Sequence, residues 1–309
     1  MRVICLGAGA IGGYFGGRLI EGGQPVEFVV REGRKGQLLR DGLVIKSKFG
    51  DFTAPVQAMT ADEIQGHADI VLLTCKAYDL TAAIETIRPA VGPNTAILPL
   101  LNGIAHIETL NGVFGPGRVL GGLAKIAATM NAEGHIIHLN DWRYITFGEQ
   151  DGSLSDRVTA LKAAYDRTSV VATLTTNVLQ EMWNKVVHLS TVAGMTTMMR
   201  ASIGEFARTP HGAALSLELL ESNAEIARRE GFAPTEAFLE EYRALFTNQA
   251  SDYTASMLRD IERRGPVEAD HIIGFMLQKA GEHGLDDRLY RIILTHLKAY
   301  EQRRAAQRW

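Results

Sequence analysis

Cysteine is scarce in this chain of 309 residues, which carries only Cys5 and Cys75. Both lie in apolar runs that are typical of buried strands, so a disulfide-stapled secreted fold is excluded and a reducing, cytoplasmic setting is expected. The sequence also contains no run of about 18 apolar residues, the length that a membrane-spanning helix needs. We therefore expect no membrane association.

A strong net charge is missing as well. The 32 Lys and Arg side chains nearly balance 35 Asp and Glu, which leaves a net charge of −3 at pH 7. This balance gives no general attraction to nucleic acid. The chain has no C-x-x-C, H-E-x-x-H or G-x-S-x-G motif, and His135 and His138 fall on opposite faces of a predicted strand. No metal centre and no serine-hydrolase site is therefore predicted.

The remaining composition is that of a globular protein, with 46% apolar and 22% charged residues. The length predicts about two domains. At the front of the chain a strand is predicted over residues 2–6, a helix over 11–21 and a second strand over 26–30. Together they form a β-α-β unit.

The character of the chain changes near residue 176. Before it, the predicted elements are strands over 69–75 and 95–101, three antiparallel strands within 118–148, a strand over 169–176, and helices over 80–91 and 155–167. After it, only helical periodicity remains, over 177–199, 210–230, 234–246, 251–264, 266–283 and 286–303. The sequence thus predicts an α/β domain over 1–176 followed by an all-α helical domain over 177–309.

The segment "CLGAGAIGGYFGGRL" after the first strand is rich in glycine. Gly7, Gly9 and Gly12 fit the pattern G-x-G-x-x-G, in which the glycines allow a tight turn, close approach of a pyrophosphate and close helix–strand packing. Ala10 and Ile11 lie at the predicted helix N-terminus, whose N–H groups attract phosphate. Because a strand precedes and a helix follows, we predict a Rossmann-type dinucleotide-binding domain rather than a bare glycine turn.

The end of the second predicted strand favours NADP(H). An acidic residue there would bind the ribose hydroxyls of NAD. This chain instead has Arg31, with Arg34 and Lys35 close behind, and arginine grips a phosphate in a planar, bidentate manner. We therefore predict NADPH, with its 2′-phosphate on Arg31. An ordinary exposed basic loop is the alternative, and the adjoining Glu32 would weaken the preference.

Polar side chains follow two other buried strands directly. Lys76 comes after the strand over 69–75, and Asn102 with Gly103 comes after the strand over 95–101. In a doubly wound sheet, ligands bind outside the carboxyl ends of the strands, so both positions point to the same crevice. Taken singly, Lys76 is equally well a solvated loop residue and Asn102-Gly103 a simple turn.

Three residues of the helical half are further candidates. Lys185 falls on the apolar stripe of its helix, where a lysine either extends outward to water or stays inside as a proton donor with a lowered pKa. Glu268 is predicted in the first turn of a helix, on the face of Ile272 and Phe275, so its side chain is expected to point inward. Ser256 begins another helix, and an ordinary surface hydroxyl is the alternative there.

These motifs, in this order, resemble the ketopantoate reductase (2-dehydropantoate 2-reductase) family. The resemblance covers nearly the whole chain and rests on "GAGAIGGYFGGRL", "LLTCKAYDL", "LLNGI", "WNKV", "SMLRDIERRGPVEAD" and "GFMLQKAGEHGLDDRLYRIILTHLK". It implies an NADP-dependent oxidoreductase that reduces a small 2-oxo acid in a cleft between a Rossmann domain and a helical domain.

The resemblance also implies roles for the candidates. Lys185 matches the catalytic lysine, the general acid beside the substrate, and Glu268 matches the glutamate that orients the reacting oxygen. Ser256 matches the serine that binds the substrate carboxylate, while Lys76 and Asn102 match residues at the nicotinamide and substrate end. The predicted cofactor-binding set comprises Gly7, Gly9, Ala10, Ile11, Gly12, Arg31, Lys76, Asn102 and Glu268.

One set of positions departs from the family pattern. Family members carry asparagines four, eight and eighteen residues after the catalytic lysine, where this chain has Leu189, Ala193 and Ile203. Those asparagines hydrogen-bond a polar substrate, and a lost partner costs about 1–3 kcal/mol. The pocket implied here is therefore more apolar than that of the well-studied members.

The predicted reaction is the reduction of 2-dehydropantoate to pantoate, a step of pantothenate biosynthesis. A reductase of a bulkier or less hydroxylated 2-oxo acid stays open as an alternative. So do a dehydrogenase of a 3-hydroxy acid or sugar phosphate, and a non-catalytic NADP(H)-binding sensor. The sequence leaves the oligomeric state open, with a homodimer among the forms it allows.

Overall fold

The computed structural model describes residues 1–308, which fall into two units. The N-terminal unit contains Met1–Leu101 and His106–Val178. The C-terminal unit contains Asn102–Ala105 and the chain from Leu179 onward. The short segment 102–105 therefore belongs with the helices of the second unit rather than with the strand that precedes it.

The N-terminal unit alternates strands and helices before a pair of longer strands. In chain order its elements are β1 (Val3–Leu6), α1 (Ala10–Glu21), β2 (Val26–Val29), α2 (Glu32–Asp41), β3 (Leu43–Lys46), β4 (Phe52–Ala54), β5 (Gln57–Met59), β6 (Ile70–Leu73), α3 (Leu80–Ile87), β7 (Ala96–Pro99), α4 (Ala105–Phe114), β8 (Leu120–Met130), β9 (Ile136–Glu149), α5 (Asp156–Tyr165) and β10 (Val171–Leu174).

Five short strands form a parallel sheet in the order β5-β2-β1-β6-β7. A parallel sheet is covered on both faces, which explains why β6 is a continuous apolar run and is buried throughout. The chain passes from β1 to β2 on one side and reaches β6 on the other, so the strand order reverses at β1. The carboxyl end of β1 is therefore the switch point where such sheets bind ligands, and the predicted Rossmann-type class is confirmed.

A second sheet has the order β10-β9-β3-β4, with β8 paired to β9. β8 and β9 run antiparallel, and their register shifts between Ile126 and Ala128. The prediction of three strands within 118–148 is wrong, because the segment folds as two long strands. The extra residues lie in β9, since Ile126 pairs with Arg143 and Ala128 with His138, and an irregularity of this bulge type bends a strand without ending it.

The two cysteines lie in different surroundings. Cys5 is buried in β1, and this burial raises the pKa of its thiol to about 12. Cys75 is partly exposed and lies beyond the end of β6, so the prediction that it sits in a buried strand is wrong. The strand pairing stops at Leu73, after which the Thr74 hydroxyl donates to the Leu6 carbonyl oxygen at 2.8 Å.

The C-terminal unit is helical, as the sequence predicts. Its helical elements are α6 (Val178–Met199), α7 (Ile203–Ala207), α8 (Gly212–Arg229), α9 (Glu236–Thr247), α10 (Ser256–Glu262), a π-helical segment (Asp270–Gly274), α11 (Phe275–Glu282) and α12 (Arg288–Ala305). No helix within residues 1–308 combines the length and the apolar character needed to cross a membrane.

Buried hydrogen bonds fix α6 within this unit. The Tyr290 hydroxyl donates to Asn223 Oδ1 at 2.8 Å, and the Asn223 amide donates to Thr191 Oγ1 at 2.9 Å. All three side chains are almost completely buried and come from α12, α8 and α6. A satisfied buried network of this kind holds its elements in one arrangement, so α6 is a rigid support for the side chains that it carries.

Candidate active site

The glycine-rich segment forms the turn from β1 into α1. Gly7 has φ of +99°, a left-handed conformation that glycine adopts without strain. A Cβ atom on Gly12 would stand 2.1 Å from the Gly7 carbonyl oxygen and 2.4 Å from Thr74 Oγ1. A Cβ atom on Gly9 would meet no atom within 4 Å. The fold therefore requires glycine at positions 7 and 12, whereas Gly9 faces open space.

The first turn of α1 forms a cradle for an anion. Gly9 is the residue before the helix and has no side chain that could cap the first N–H groups. The first turn contains Ala10 and Ile11 and no acidic residue. The first N–H groups of a helix have no partner within it and carry partial positive charge. A bare turn at the switch point of a parallel sheet, followed by this helix end, fits the pyrophosphate of a dinucleotide.

Three cations follow β2, and only one is uncommitted. Gly7 N–H donates to the Val29 carbonyl oxygen at 2.9 Å, which ties the end of β2 to the glycine turn. Arg34 donates to the Ala8 carbonyl oxygen at 2.8 Å, and Lys35 pairs with an exposed glutamate. Arg31 lies immediately before α2, is exposed, and makes no side-chain hydrogen bond or ion pair within residues 1–308. Arg31 is thus the cation able to take a phosphate.

Lys76 lies at the same edge of the parallel sheet as the glycine turn. It follows β6, the neighbour of β1, and precedes a short 3₁₀ turn over Ala77–Asp79. The bond from Thr74 to the end of β1 ties these two strand ends together. Lys76 is exposed, as expected for a side chain at the ligand-binding edge.

Lys185 and Asn102 are in contact within the C-terminal unit. Lys185 lies on a stripe of α6 whose side chains are partly exposed, together with Asn184, His188 and Leu189. Its Nζ lies 3.4 Å from Asn102 Oδ1, so the ammonium group donates to an amide oxygen. Lys185 is therefore half-buried, with its charge directed at a polar partner. This placement is intermediate between the two predicted alternatives, a side chain that extends to water and one that stays inside as a proton donor.

Glu268 is buried, with only 8% of its surface exposed. The prediction that it lies in the first turn of a helix is wrong, because residues 265–268 are not helical and the helix begins at Ala269. Pro266 lacks an N–H group and keeps this approach extended. The inward orientation is as predicted, since Ile272 and Phe275 on the same face are buried too.

His271 belongs to the same group of residues and was not predicted from the sequence. Its ring is hydrogen-bonded to the Asn102 backbone and interacts with the charge of Glu268. Burial lowers the pKa of this ring, while Glu268 and the bond to Asn102 oppose the shift. Asn102, Lys185, Glu268 and His271 thus form one connected set, called here the polar cluster. No signal in the sequence points to His271, because its role depends on a backbone contact with the distant Asn102.

Ser256 is not joined to the polar cluster by a hydrogen bond within residues 1–308. It is the first residue of α10, as predicted, and its side chain is exposed. No side-chain hydrogen bond joins it to another residue of the described chain. The predicted helix over 251–264 is shorter than expected, because residues 251–255 are not helical and the helix begins at Ser256.

The three positions that depart from the family pattern have unequal exposure. Ala193 and Ile203 are completely buried, whereas Leu189 is partly exposed one turn after Lys185. His188 on the same stripe packs against Tyr242 with ring centres 4.5 Å apart, and its Nε2 lies 3.3 Å from the Tyr253 hydroxyl. The stripe that carries Lys185 therefore continues into an apolar and aromatic surface.

Gly103→Ala is expected to destabilise the protein by about 1–3 kcal/mol. Gly103 has φ of +82°, and a Cβ atom there would stand 2.8 Å from His271 Cδ2. The measurement is the thermal unfolding midpoint. Gly112→Ala in α4 is the matched control, because a Cβ atom at Gly112 meets nothing within 4 Å. If both variants melt like the wild type, the close contact between Gly103 and His271 is not present in solution.

The fold and these residues define a class of protein. A Rossmann-type sheet with a bare glycine turn, together with a separate helical unit that carries a lysine and a buried carboxylate, is the arrangement of a nicotinamide-dependent oxidoreductase. The family model described as "Ketopantoate reductase PanE/ApbA" matches residues 3–152, and its C-terminal counterpart matches residues 177–301. The chain belongs to the ketopantoate reductase family, which confirms the predicted resemblance, and it is an NADP-dependent oxidoreductase.

Individual relatives agree with this assignment. An uncharacterized oxidoreductase, YkpB of Bacillus subtilis, is 33% identical over 97% of this chain and 99% of its own. A 2-dehydropantoate 2-reductase of a Nostoc species is 26% identical over 91% of this chain and 89% of its own. The crystal structure of 2-dehydropantoate 2-reductase from Methylococcus capsulatus is 25% identical, with a TM-score of 0.88 over 99% of this chain and 98% of that one.

Proposed function

We propose that the protein reduces a 2-oxo acid to the 2-hydroxy acid with NADPH, and that Lys185 supplies the proton. The observation that carries this proposal is the polar cluster. In it, Asn102 accepts a hydrogen bond from the Lys185 ammonium group, and the buried carboxylate of Glu268 interacts with His271, which is hydrogen-bonded to the Asn102 backbone. An amine and a carboxylate held in one cluster are suited to acid–base work on a carbonyl oxygen.

The residues of the N-terminal unit fit the dinucleotide. The backbone of Gly7, Gly9, Ala10, Ile11 and Gly12 would hold its pyrophosphate, because the turn is bare and the helix end has no cap of its own. Arg31 would hold the 2′-phosphate. By the family resemblance, Lys76 of this unit and Asn102 and Glu268 of the C-terminal unit are proposed to contact the nicotinamide, which when bound supplies the hydride that adds to the keto carbon.

The chain's own groups complete the reaction. As the keto carbon gains hydride, its oxygen becomes an alkoxide, and Lys185 Nζ donates a proton to that oxygen. The lysine is left as a neutral amine and regains a proton from water. Glu268 holds and orients the reacting hydroxyl group, and the exposed hydroxyl of Ser256 is proposed to bind the substrate carboxylate.

Arg31→Ala is expected to weaken NADPH binding by about tenfold or more and to change NADH binding little. A hydrogen bond to a charged group contributes about 1.5–3 kcal/mol, and NADH has no 2′-phosphate to lose. Dissociation constants for both cofactors, measured by fluorescence titration, test this. Lys35→Ala is the control, because Lys35 is already paired with Glu63. An equal loss for both cofactors would refute the phosphate contact.

Two substrate classes are proposed. The relatives from Nostoc and Methylococcus support 2-dehydropantoate, and with it a place in pantothenate biosynthesis. A specific observation favours the second class, a 2-oxo acid with an apolar or aromatic side chain. Leu189 replaces a hydrogen-bonding asparagine and is partly exposed beside Lys185, and the adjoining surface is formed by His188, Tyr242 and Tyr253.

A substrate panel tests the proposal. NADPH oxidation is followed by absorbance with 2-dehydropantoate, pyruvate, 4-methyl-2-oxopentanoate and phenylpyruvate. The highest kcat/KM with 2-dehydropantoate supports the first class, and the highest value with either of the last two supports the second. Tight NADPH binding without oxidation by any of these acids would contradict the reductase and favour a cofactor-binding sensor.

A further inference from the structure

We propose that His271 is a positioning residue that holds the Asn102-Gly103 turn and, through it, directs Asn102 Oδ1 at Lys185 Nζ. This inference rests on the proposed role of Lys185 in the reaction. Four observations converge on it: the bond from the ring to the Asn102 backbone, the packing of Gly103 against the ring, the contact between Asn102 and Lys185, and the π-helical segment that contains His271.

The contact between His271 and the turn is close. A Cβ atom on Gly103 would stand 2.8 Å from Cδ2 and 3.1 Å from Nε2 of the ring, and 3.3 Å from the His271 carbonyl oxygen. The turn therefore lies on the ring and on the backbone of His271 together. Since segment 102–105 belongs to the C-terminal unit, this packing accounts for how four residues that follow a strand of the other unit are held with the helices.

The π-helical segment explains why His271 points at the turn. Residues Asp270–Gly274 have the wider π-helical turn, which admits an extra residue and redirects its side chains, and such segments are frequent at functional sites. Asp270 is paired with Lys298 of α12 at 2.8 Å, on the exposed side. His271, the next residue, points instead at Asn102. The ion pair of Asp270 and the bond of His271 thus fix the segment on two sides.

The chemistry of the ring suits positioning rather than proton transfer to substrate. Burial lowers the pKa of His271, so the ring is neutral at neutral pH and carries a single N–H. A ring with one N–H that is hydrogen-bonded to a backbone carbonyl has no further proton to give. Its contribution is to hold Asn102, and an error of about 1 Å in a catalytic group can cost about a hundredfold in rate.

The first test compares two substitutions with an exposed control. His271→Phe keeps a ring of similar size but removes the hydrogen bond, and His271→Gln keeps a donor. We expect His271→Phe to lower kcat by about 10- to 100-fold with NADPH affinity unchanged and KM changed less than kcat. We expect His271→Gln to recover at least part of the loss, and His211→Phe, at an exposed position before α8, to behave as wild type. A kcat for His271→Phe within twofold of wild type would overturn the proposal, as would a glutamine variant no better than the phenylalanine variant.

A double-mutant cycle asks whether His271 acts through Asn102. In the Asn102→Ala background, His271→Phe is expected to lower kcat by less than a further twofold, because the group that it positions is already gone. Losses that multiply independently would overturn the proposal. All variants are compared by thermal unfolding, and the cycle stays informative when the single variants melt below the wild type.

A second readout does not need turnover. Acetylation of lysines by an N-hydroxysuccinimide ester, followed by mass spectrometry, reports the accessibility of Lys185 in the intact protein. We expect His271→Phe to raise the labelling rate of Lys185 at least threefold while Lys162, a partly exposed lysine on α5, stays unchanged. An unchanged rate at Lys185 overturns the positioning role. Because this readout needs no substrate, it separates failure of this inference from failure of the proposed reductase activity.

Discussion

Lys185→Ala is expected to lower kcat by about a hundredfold or more while NADPH affinity is largely kept. A positioned general acid contributes about 10²- to 10⁴-fold to rate. Lys185 is positioned in this sense, because Asn102 Oδ1 lies 3.4 Å from its Nζ and a buried network holds α6. The measurement is steady-state kcat with the best substrate of the panel, together with the NADPH dissociation constant from fluorescence titration.

The control for this prediction is the substitution of a lysine that lies outside the polar cluster. Lys162→Ala removes a partly exposed lysine of α5 that forms an ion pair with Asp166 at the end of that helix, and it should leave kcat unchanged. Lys185→Arg is a second comparison, since arginine keeps the charge and does not give up its proton in proteins. It is expected to be nearly as slow as the alanine variant. Turnover of Lys185→Ala within a few-fold of wild type would remove Lys185 from the reaction.

The sequence was sufficient for four of the five strands of the parallel sheet, β1, β2, β6 and β7, because these strands report burial directly. A strand that is covered on both faces is an unbroken apolar run, and β6 and β7 both have that form. The glycine turn was equally clear, since no other residue type fits at Gly7 or Gly12. The period of the helices identified the helical half for the same reason, because each helix buries one continuous stripe.

Several elements that were not predicted from the sequence are short or polar. Helix α2 (Glu32–Asp41) buries only Leu38, so it carries almost no apolar period. Strands β4 and β5 have three residues each, too few to show alternation. They exist because β3 and β2 supply hydrogen-bonding edges for them. Tertiary pairing, rather than local pattern, fixes such elements.

The polar cluster shows where reasoning from sequence stops. Lys185, Asn102 and Glu268 could each be selected by position on a strand end or a helix face. His271 could not, because its role depends on a π-helical turn and on a backbone contact with a segment about 170 residues earlier in the chain. Neither feature leaves a periodic signal. Contacts between a side chain and distant backbone are a property of the fold alone.

Gly12→Ala and Gly9→Ala are expected to separate folding from cofactor binding. A Cβ atom at Gly12 meets the Gly7 carbonyl oxygen at 2.1 Å, Thr74 Oγ1 at 2.4 Å and Cys5 Sγ at 3.0 Å. The Gly7 oxygen is a backbone atom and Cys5 is a residue of β1, so neither atom can move away freely. β1 and α1 must therefore move apart. We expect Gly12→Ala to lower the free energy of unfolding by about 1–3 kcal/mol, after the gain of about 1 kcal/mol that alanine brings to a helix is taken into account, and to abolish NADPH binding.

Gly9→Ala serves as the matched variant because its Cβ atom would enter open space. Its backbone, with φ of −84° and ψ of −161°, is accessible to alanine, so the melting temperature should stay within a few degrees of wild type. The new methyl group nevertheless occupies the space through which a pyrophosphate would approach the helix end, and NADPH binding should weaken by at least tenfold. Melting curves with and without NADPH test both variants, since a bound ligand raises the midpoint. If Gly9→Ala binds NADPH as tightly as the wild type, the dinucleotide does not lie on this turn.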